Sequence, residues 1–148
     1  MATAPVAATP MHLWVVGILS LLWNAFGAAD YTMTELGSLA WFEMMGLGAD
    51  ELAWTQSFPG WVVACWAVGV WGSVAGSLLL LARSRHAATV FLLALIGAAA
   101  SFAYQFTAEG KPASMEGGAA VAMPVLIMIL IVAQWYYTRR QAAAGVLR

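Results

Sequence analysis

Side chains that could hold a polar ligand fall near one end of the long apolar runs of this chain. They are two amides, a carboxylate and two phenols: Asn24, Asp30, Tyr31, Tyr104 and Gln105. Sugars are bound by groups of these kinds, so this set predicts a small polar pocket that opens outward. Two plainer interpretations stand beside it, namely hydrogen bonding between helices for Asn24 and a solvated carboxylate at the edge of the apolar region for Asp30. Gln134, near the end of the last run, is a third amide that needs a partner.

The sequence contains no spacing of His, Cys, Ser or acidic residues that is typical of a metal site or a catalytic site. His12 and His86 have no carboxylate or cysteine at ligand spacing, and Cys65 is the single cysteine, so we expect no metal and no cofactor. No nucleophile elbow and no HExxH motif is present, and we expect no enzyme of the hydrolytic types. No cluster of Lys and Arg with interleaved aromatics occurs, so nucleic acid is not an expected partner.

The composition is typical of a membrane protein. Of the 148 residues, 63% are hydrophobic and 9% are charged, and the mean hydropathy is +0.82. Four apolar runs, at about 13–29, 61–82, 87–106 and 119–137, each have the length that crosses ~30 Å of hydrocarbon as a helix. In hydrocarbon each backbone must close its own hydrogen bonds. We therefore predict one all-α domain over 1–148, a four-transmembrane-helix bundle surrounded by the lipid bilayer.

Charge is divided between the two sides of these runs. The five arginines lie between runs two and three or after run four, at Arg83, Arg85, Arg139, Arg140 and Arg148. The seven acidic residues all lie in the segments 30–60 and 107–118. Basic segments stay on the cytoplasmic side, so we predict that both termini and the 83–86 loop are cytoplasmic and that 30–60 and 107–118 are outer loops. The centre of each run lacks an ionisable residue, the usual carrier in proton-coupled transport.

Small residues recur at helical spacing in the first two runs. They define one stripe on each run: Gly17, Ser20 and Gly27 on the first, and Gly69, Gly72 and Gly76 on the second. Such stripes let two backbones approach closely in a membrane. We predict that they pack helices one and two against each other, and an interface between copies of the chain is the alternative.

The first outer loop is too aromatic for a flexible linker and too long for a turn. We predict two short helices on the membrane surface, the first beginning near Thr34 and ending at Gly46 or Gly48, and the second capped by Asp50. The second outer loop contains Gly110, Pro112 and the pair Gly117-Gly118, which is typical of a flexible turn.

Two stretches resemble a known family: LWNAFGAADYTMT at 22–34 and SFPGWVVACWAVGVWG at 57–72. From about His12 to Arg148 the chain is similar to small bacterial integral membrane proteins with four spans, commonly labelled "sugar transporter" or uncharacterised. The resemblance implies four spans, the bacterial inner membrane and, through the label, a sugar-like substrate. It brings no binding residues to this sequence.

Two functions remain open. The one we favour is a scaffold or accessory membrane protein whose outer face binds lipid or a protein partner. The other is a transporter of a small, sugar-like solute that acts as an oligomer. Transporters usually build a midplane site from broken helices or paired repeats. Here Pro124, near the start of run four, is the only proline inside a run, and no convincing residue repeat relates the two halves.

Overall fold

The apolar runs are helices in a computed structural model, which describes residues 8–148. The helices are α1 (Met11–Glu35), α2 (Leu39–Met44), α3 (Ala49–Gln56), α4 (Gly60–Leu81), α5 (Ala87–Thr107) and α6 (Gly118–Ala143). A short 3-10 helix covers Ala113–Met115, and the described residues contain no strand. Four of the helices, α1, α4, α5 and α6, are long and apolar enough to cross a membrane. The predicted all-α bundle with a partly helical loop is confirmed.

Two of the four long helices extend beyond the apolar runs from which they were predicted. The helix predicted at 13–29 continues to Glu35, and the one predicted at 119–137 continues to Ala143. Hydropathy marks only the part of a helix that lies in hydrocarbon, whereas backbone hydrogen bonds continue past it into polar residues. The last helix also runs unbroken through Pro124, which lies in its second turn.

The two ends of the bundle differ in charge and are named accordingly. The acidic end holds α2, α3 and the 108–117 loop, and the basic end holds the start of α1, the 82–86 turn and residues 144–148. At the basic end the last residue pairs with the turn: the backbone N–H of Arg148 donates to the Arg83 carbonyl at 2.8 Å, and that of Arg85 donates to the Arg148 carbonyl at 2.8 Å. Val146 and Leu147 are buried there against Leu13, Leu80 and Ala87.

The glycine stripe of α4 packs against α5. A Cβ added to Gly69 would lie 3.1 Å from the backbone nitrogen of Ala98, and one added to Gly76 would lie 3.0 Å from the ring of Phe91. Gly72 makes the same kind of approach between them. The prediction that this stripe packs on helix one was therefore wrong. Periodicity identifies the face of a helix that packs closely, but it does not identify the neighbour.

Two members of the α1 stripe, Gly17 and Gly27, face α4 as predicted, whereas the third, Ser20, lies toward α6. Gly17 leaves room for the side chain of Leu81, since a Cβ there would lie 2.9 Å from the Leu81 Cγ. Gly27 lies opposite Val70, 4.0 Å from its Cγ1. Thus α4 sits between α1 and α5, and α6 packs against α5 at the edge. Only 11% of the most apolar stretch of α6 is buried, against 28% to 33% for the other three.

The two short helices predicted in the first outer loop exist, with different caps. Since α1 runs to Glu35, α2 begins at Leu39 rather than near Thr34, and the Ser38 hydroxyl accepts from the Trp41 backbone N–H at 3.3 Å. Gly46, with φ of +77°, follows the end of α2 as predicted. The predicted cap by Asp50 is wrong, because Gly48 is the N-cap of α3.

Candidate functional site

Asn24 lies at the centre of the polar contacts between the long helices. Its Nδ2 donates to Ser77 Oγ at 2.9 Å, to Gln134 Oε1 at 3.1 Å and to the Ser73 carbonyl at 3.2 Å. An amide nitrogen has two hydrogens, so at least one of them is shared between two acceptors. One buried side chain therefore ties α1 to both α4 and α6.

The sequence of α4 prepares two acceptors for this amide. Ser73 and Ser77 are one turn apart on a buried face, and each hydroxyl donates to the carbonyl four residues earlier, at 2.7 Å and 2.9 Å. Because their hydrogens are used within the helix, the Ser77 hydroxyl oxygen presents lone pairs to α1. Asn24 is on the buried stripe of α1 with Leu13 and Ala28, which aims it at these serines.

The two candidate residues at the acidic end of α1 have aromatic partners. The carboxylate of Asp30 accepts from the indole N–H of Trp41 in α2 at 2.9 Å. The ring of Tyr31 meets Trp66 of α4 edge to face, with centroids 5.0 Å apart. These contacts fasten α2 and α4 to the end of α1.

The two candidate residues on α5, Tyr104 and Gln105, also contact residues outside the predicted pocket. Tyr104 packs edge-on against Phe58 and Trp61, each with centroids 5.6 Å away. The amide of Gln105 donates to the Ser101 hydroxyl at 3.0 Å on its own helix. No hydrogen bond or ring contact in the described residues joins two of the five candidates, so they are divided among separate contacts rather than gathered in one outward pocket.

A groove between α1 and α6 is the site that sequence reasoning missed. It measures about 550 Å³ and lies toward the basic end. Val16, Leu19 and Ser20 of α1 form one wall, and Leu130, Gln134 and Tyr137 of α6 form the other. The signal in the sequence was Gln134, an amide in an apolar run, but only the structure shows that α1 and α6 stand apart beside it.

Tyr137 marks the end of this groove nearest the basic end of the bundle. Its hydroxyl and the Nδ1 of His12 share a hydrogen bond of 2.6 Å, and the two rings meet edge to face with centroids 5.8 Å apart. This contact joins the first turn of α1 to α6. His12 itself is exposed.

At the acidic end α3 is clamped to the 108–117 loop. The Ser114 hydroxyl donates to one oxygen of the Glu51 carboxylate, and the backbone N–H of Gly48 donates to the other at 2.7 Å. The Ser114 hydroxyl first, and the Gly48 N–H second, hold the pKa of Glu51 below its usual value. Nearby, the indole of Trp54 donates to the Glu109 carbonyl at 3.2 Å, and the Lys111 ammonium lies 5.6 Å from the Trp54 ring centroid.

Residues 8–148 contain no candidate metal site. No three His, Cys, Asp or Glu side chains of that region are grouped closely enough to hold an ion. Cys65 is a free thiol, partly buried in α4 beside Gly97 of α5, whose added Cβ would lie 2.6 Å from the Cys65 carbonyl.

The fold and hydropathy together define a multi-pass membrane protein of four helices. Comparison of the chain with protein families, curated proteins and solved structures found no match. The resemblance to small bacterial four-span proteins therefore stays a prediction.

Proposed function

We propose that this chain is an accessory protein of the bacterial inner membrane, a scaffold that binds a protein partner at its acidic end and moves no solute. One observation carries the proposal: the side-chain nitrogen of Asn24, the most central polar side chain of α1, donates to three acceptors and fastens three helices together. A solute that needs a hydrogen-bond donor at that depth would have to displace these contacts.

The helices also lack the breaks on which transport usually depends. Transporters expose backbone groups at the midplane where a helix unwinds. Here α1, α4, α5 and α6 are continuous over their described lengths, including the turn at Pro124. Close packing of α4 on α5 through Gly69, Gly76 and Gly97 removes space between those helices. These features support a rigid bundle over an alternating one.

The partner surface that we propose is formed by the 35–45 segment at the acidic end. Leu36 is 74% exposed and Met44 is 68% exposed, beside the exposed carboxylates of Glu35 and Glu43. Methionine-rich surfaces adapt to protein partners. Carboxylates repel the anionic headgroups of a membrane surface, so this combination favours a protein with basic residues over insertion among lipids.

Photo-crosslinking from Met44 tests the proposal. We expect that p-benzoylphenylalanine in place of Met44 gives a discrete protein adduct in the membranes of cells that make the chain. The same replacement of Leu93, a 54% exposed residue of α5, serves as the lipid-facing control and should give lipid adducts alone. Lipid adducts alone from both positions would contradict a protein partner at the 35–45 segment.

The rival function is the oligomeric transporter. It requires saturable movement of a solute across a sealed bilayer, which a scaffold does not support. The two functions therefore differ in a property that can be measured on the purified chain.

A further inference from the structure

We propose that the groove between α1 and α6 binds one anionic diacyl glycerophospholipid, with its ester region at Gln134 and Ser20 and its phosphate at the basic end. This site is separate from the proposed partner surface, and the inference goes beyond the scaffold function without depending on it.

Two buried polar side chains, an amide and a hydroxyl, line this mostly apolar groove. Ser20 and Gln134 are each 7% exposed, and both line it. Gln134 Oε1 accepts from Asn24, but among the described residues neither Gln134 Nε2 nor Ser20 Oγ has a hydrogen-bond partner. No fully enclosed polar side-chain atom of that region lacks a partner, so these two atoms must be accessible from the groove.

The environment of these atoms calls for an acceptor supplied by a ligand. The groove lies within the apolar lengths of α1 and α6, where bulk water cannot complete the hydrogen bonding of an amide N–H. An ester carbonyl of a glycerolipid is an acceptor that is attached to a hydrocarbon chain. Val16, Leu19 and Leu130 provide the apolar wall for that chain, and the volume of about 550 Å³ is in the range of ligand pockets.

A second depression beside the groove fits the second acyl chain. It measures about 420 Å³ and runs along the exposed face of α6 past Ile129, Val132 and Tyr136. Ala133 lines both the groove and the depression. Two apolar surfaces that meet at one small residue offer contacts to two acyl chains, whereas a single-chain amphiphile would cover only one of them.

Two arginines, Arg140 and Arg83, and the pair of His12 and Tyr137 lie where the headgroup would emerge. Arg140 Nη1 is 3.5 Å from the Tyr136 hydroxyl, at the end of the depression, and His12 bonds Tyr137 at the end of the groove. Arg83 donates to the Thr9 hydroxyl just before α1. Every acidic side chain lies in the segments of the opposite end, so a phosphate here would meet the arginines without a competing Asp or Glu.

The spacing along α6 suits this assignment. Gln134 and Arg140 are six residues apart, which is about 9 Å along the helix and about 120° around it. Gln134 faces the groove, and Arg140 extends over the neighbouring face at Tyr136. A phosphate at the interface would therefore lie beside Arg140, with the ester region below it toward Gln134 and the chains continuing toward Leu130 and Ile129.

Native mass spectrometry of the full chain tests the site. The purified protein is titrated with phosphatidylglycerol or with phosphatidylcholine carrying the same acyl chains. We expect one phosphatidylglycerol to be retained, and phosphatidylcholine to bind about tenfold more weakly. Ala133→Trp, which places a bulky side chain where the groove and the depression meet, should weaken phosphatidylglycerol binding at least tenfold. Ala99→Trp, at an exposed position of α5, should leave this binding unchanged.

Two further variants separate the headgroup from the ester contact. Arg140→Gln should remove the preference for phosphatidylglycerol, and Gln134→Leu should weaken both lipids, while Gln105→Leu on α5 should weaken neither. Gln134→Leu also removes the bond to Asn24 and can misfold for that reason. In that case the Ala133→Trp result decides between the outcomes. Equal retention of the two lipids, unchanged binding by Ala133→Trp, or a neutral isoprenoid lipid as the bound species in native extracts would overturn the proposal.

Discussion

At Asn24 one side-chain amide bridges three helices, and a hydrocarbon environment makes its partners hard to replace because no water can substitute for them. Interhelical hydrogen bonds in membrane proteins contribute about 0.6 kcal/mol each and rarely exceed about 1.7 kcal/mol. With acceptors on Ser73, Ser77 and Gln134, Asn24→Ala should lower the free energy of unfolding by about 1 to 2 kcal/mol.

Steric trapping or reversible denaturation in mild detergent measures this loss. Gln105→Ala is the matched control, since its amide bonds Ser101 within the same helix and its loss should cost clearly less. Equal losses in the two variants would show that the Asn24 network does not fasten the bundle.

Glu51 gives the acidic end a dependence on pH. Its pKa is lowered in the folded chain, chiefly by the Ser114 hydroxyl and then by the Gly48 N–H. Because the pKa of Glu51 is lowered by folding, its carboxylate stabilises the clamp fully when the pH is above 4.5, the ordinary pKa of a glutamate. This stabilisation is lost as the pH falls through the lower pKa that Glu51 has in the folded chain. Below that value we expect α3 to loosen from the 108–117 loop.

The fluorescence of Trp54, measured with the other tryptophans replaced by phenylalanine, reports this loosening because its indole bonds the Glu109 carbonyl. Glu51→Gln should abolish the acid transition and show a looser clamp at neutral pH. An unchanged transition in Glu51→Gln would assign it to another group.

At the scale of residues, the five candidate pocket residues show which contacts cannot be predicted from the sequence. The amides and carboxylates that needed partners could be recognised, and interhelical bonding was one of the interpretations weighed for Asn24. Their actual partners could not be recognised. Trp41 reaches Asp30 only when α2 folds back on α1, and Trp66 reaches Tyr31 only when α4 packs beside α1. Such contacts depend on tertiary placement, which no local spacing encodes.

At the scale of elements, α4 and α5 are packed backbone against backbone through their glycines. A Cβ on Gly97 would lie 2.6 Å from the Cys65 carbonyl, and backbone cannot yield as a flexible side chain can. Gly97→Ala should therefore destabilise the chain by about 1 to 3 kcal/mol, the usual cost of overpacking. Thermal unfolding in detergent checks this, with Gly60→Ala as the control.

Gly60 begins α4 and has nothing within 4 Å of its added Cβ. Alanine is the better helix former, so Gly60→Ala should leave stability unchanged or slightly raised. If Gly97→Ala were equally harmless, α4 and α5 would not lie this close together.

Helix existence could be read from hydropathy, whereas helix ends and neighbours could not. The predicted span at 61–82 differs from α4 by one residue at each end, but α1 and α6 extend past their runs because helical hydrogen bonding continues into polar residues. The stripe of α4 was recognised and its neighbour was not, since a glycine stripe on one helix fits any helix with small residues. Ala94 and Ala98 made α5 that neighbour.

At the scale of the whole molecule, the separation of charge predicts how the chain sits in the membrane. Arginines at the basic end should be cytoplasmic, so the acidic end should be accessible from outside. In a Cys65→Ser background, Ala53→Cys at the acidic end should react with an impermeant maleimide on intact spheroplasts. Ala144→Cys at the basic end should react only after permeabilisation, and the opposite pattern would invert the topology.

Solute uptake distinguishes a scaffold whose bundle is fastened shut around Asn24 from a transporter. Purified chain is reconstituted into sealed proteoliposomes and offered a panel of radiolabelled sugars, with Asn24→Ala and Asp30→Ala prepared alongside. We expect uptake by the folded wild type no greater than that of protein-free liposomes. Saturable uptake that either substitution abolishes would contradict the scaffold and establish the oligomeric transporter.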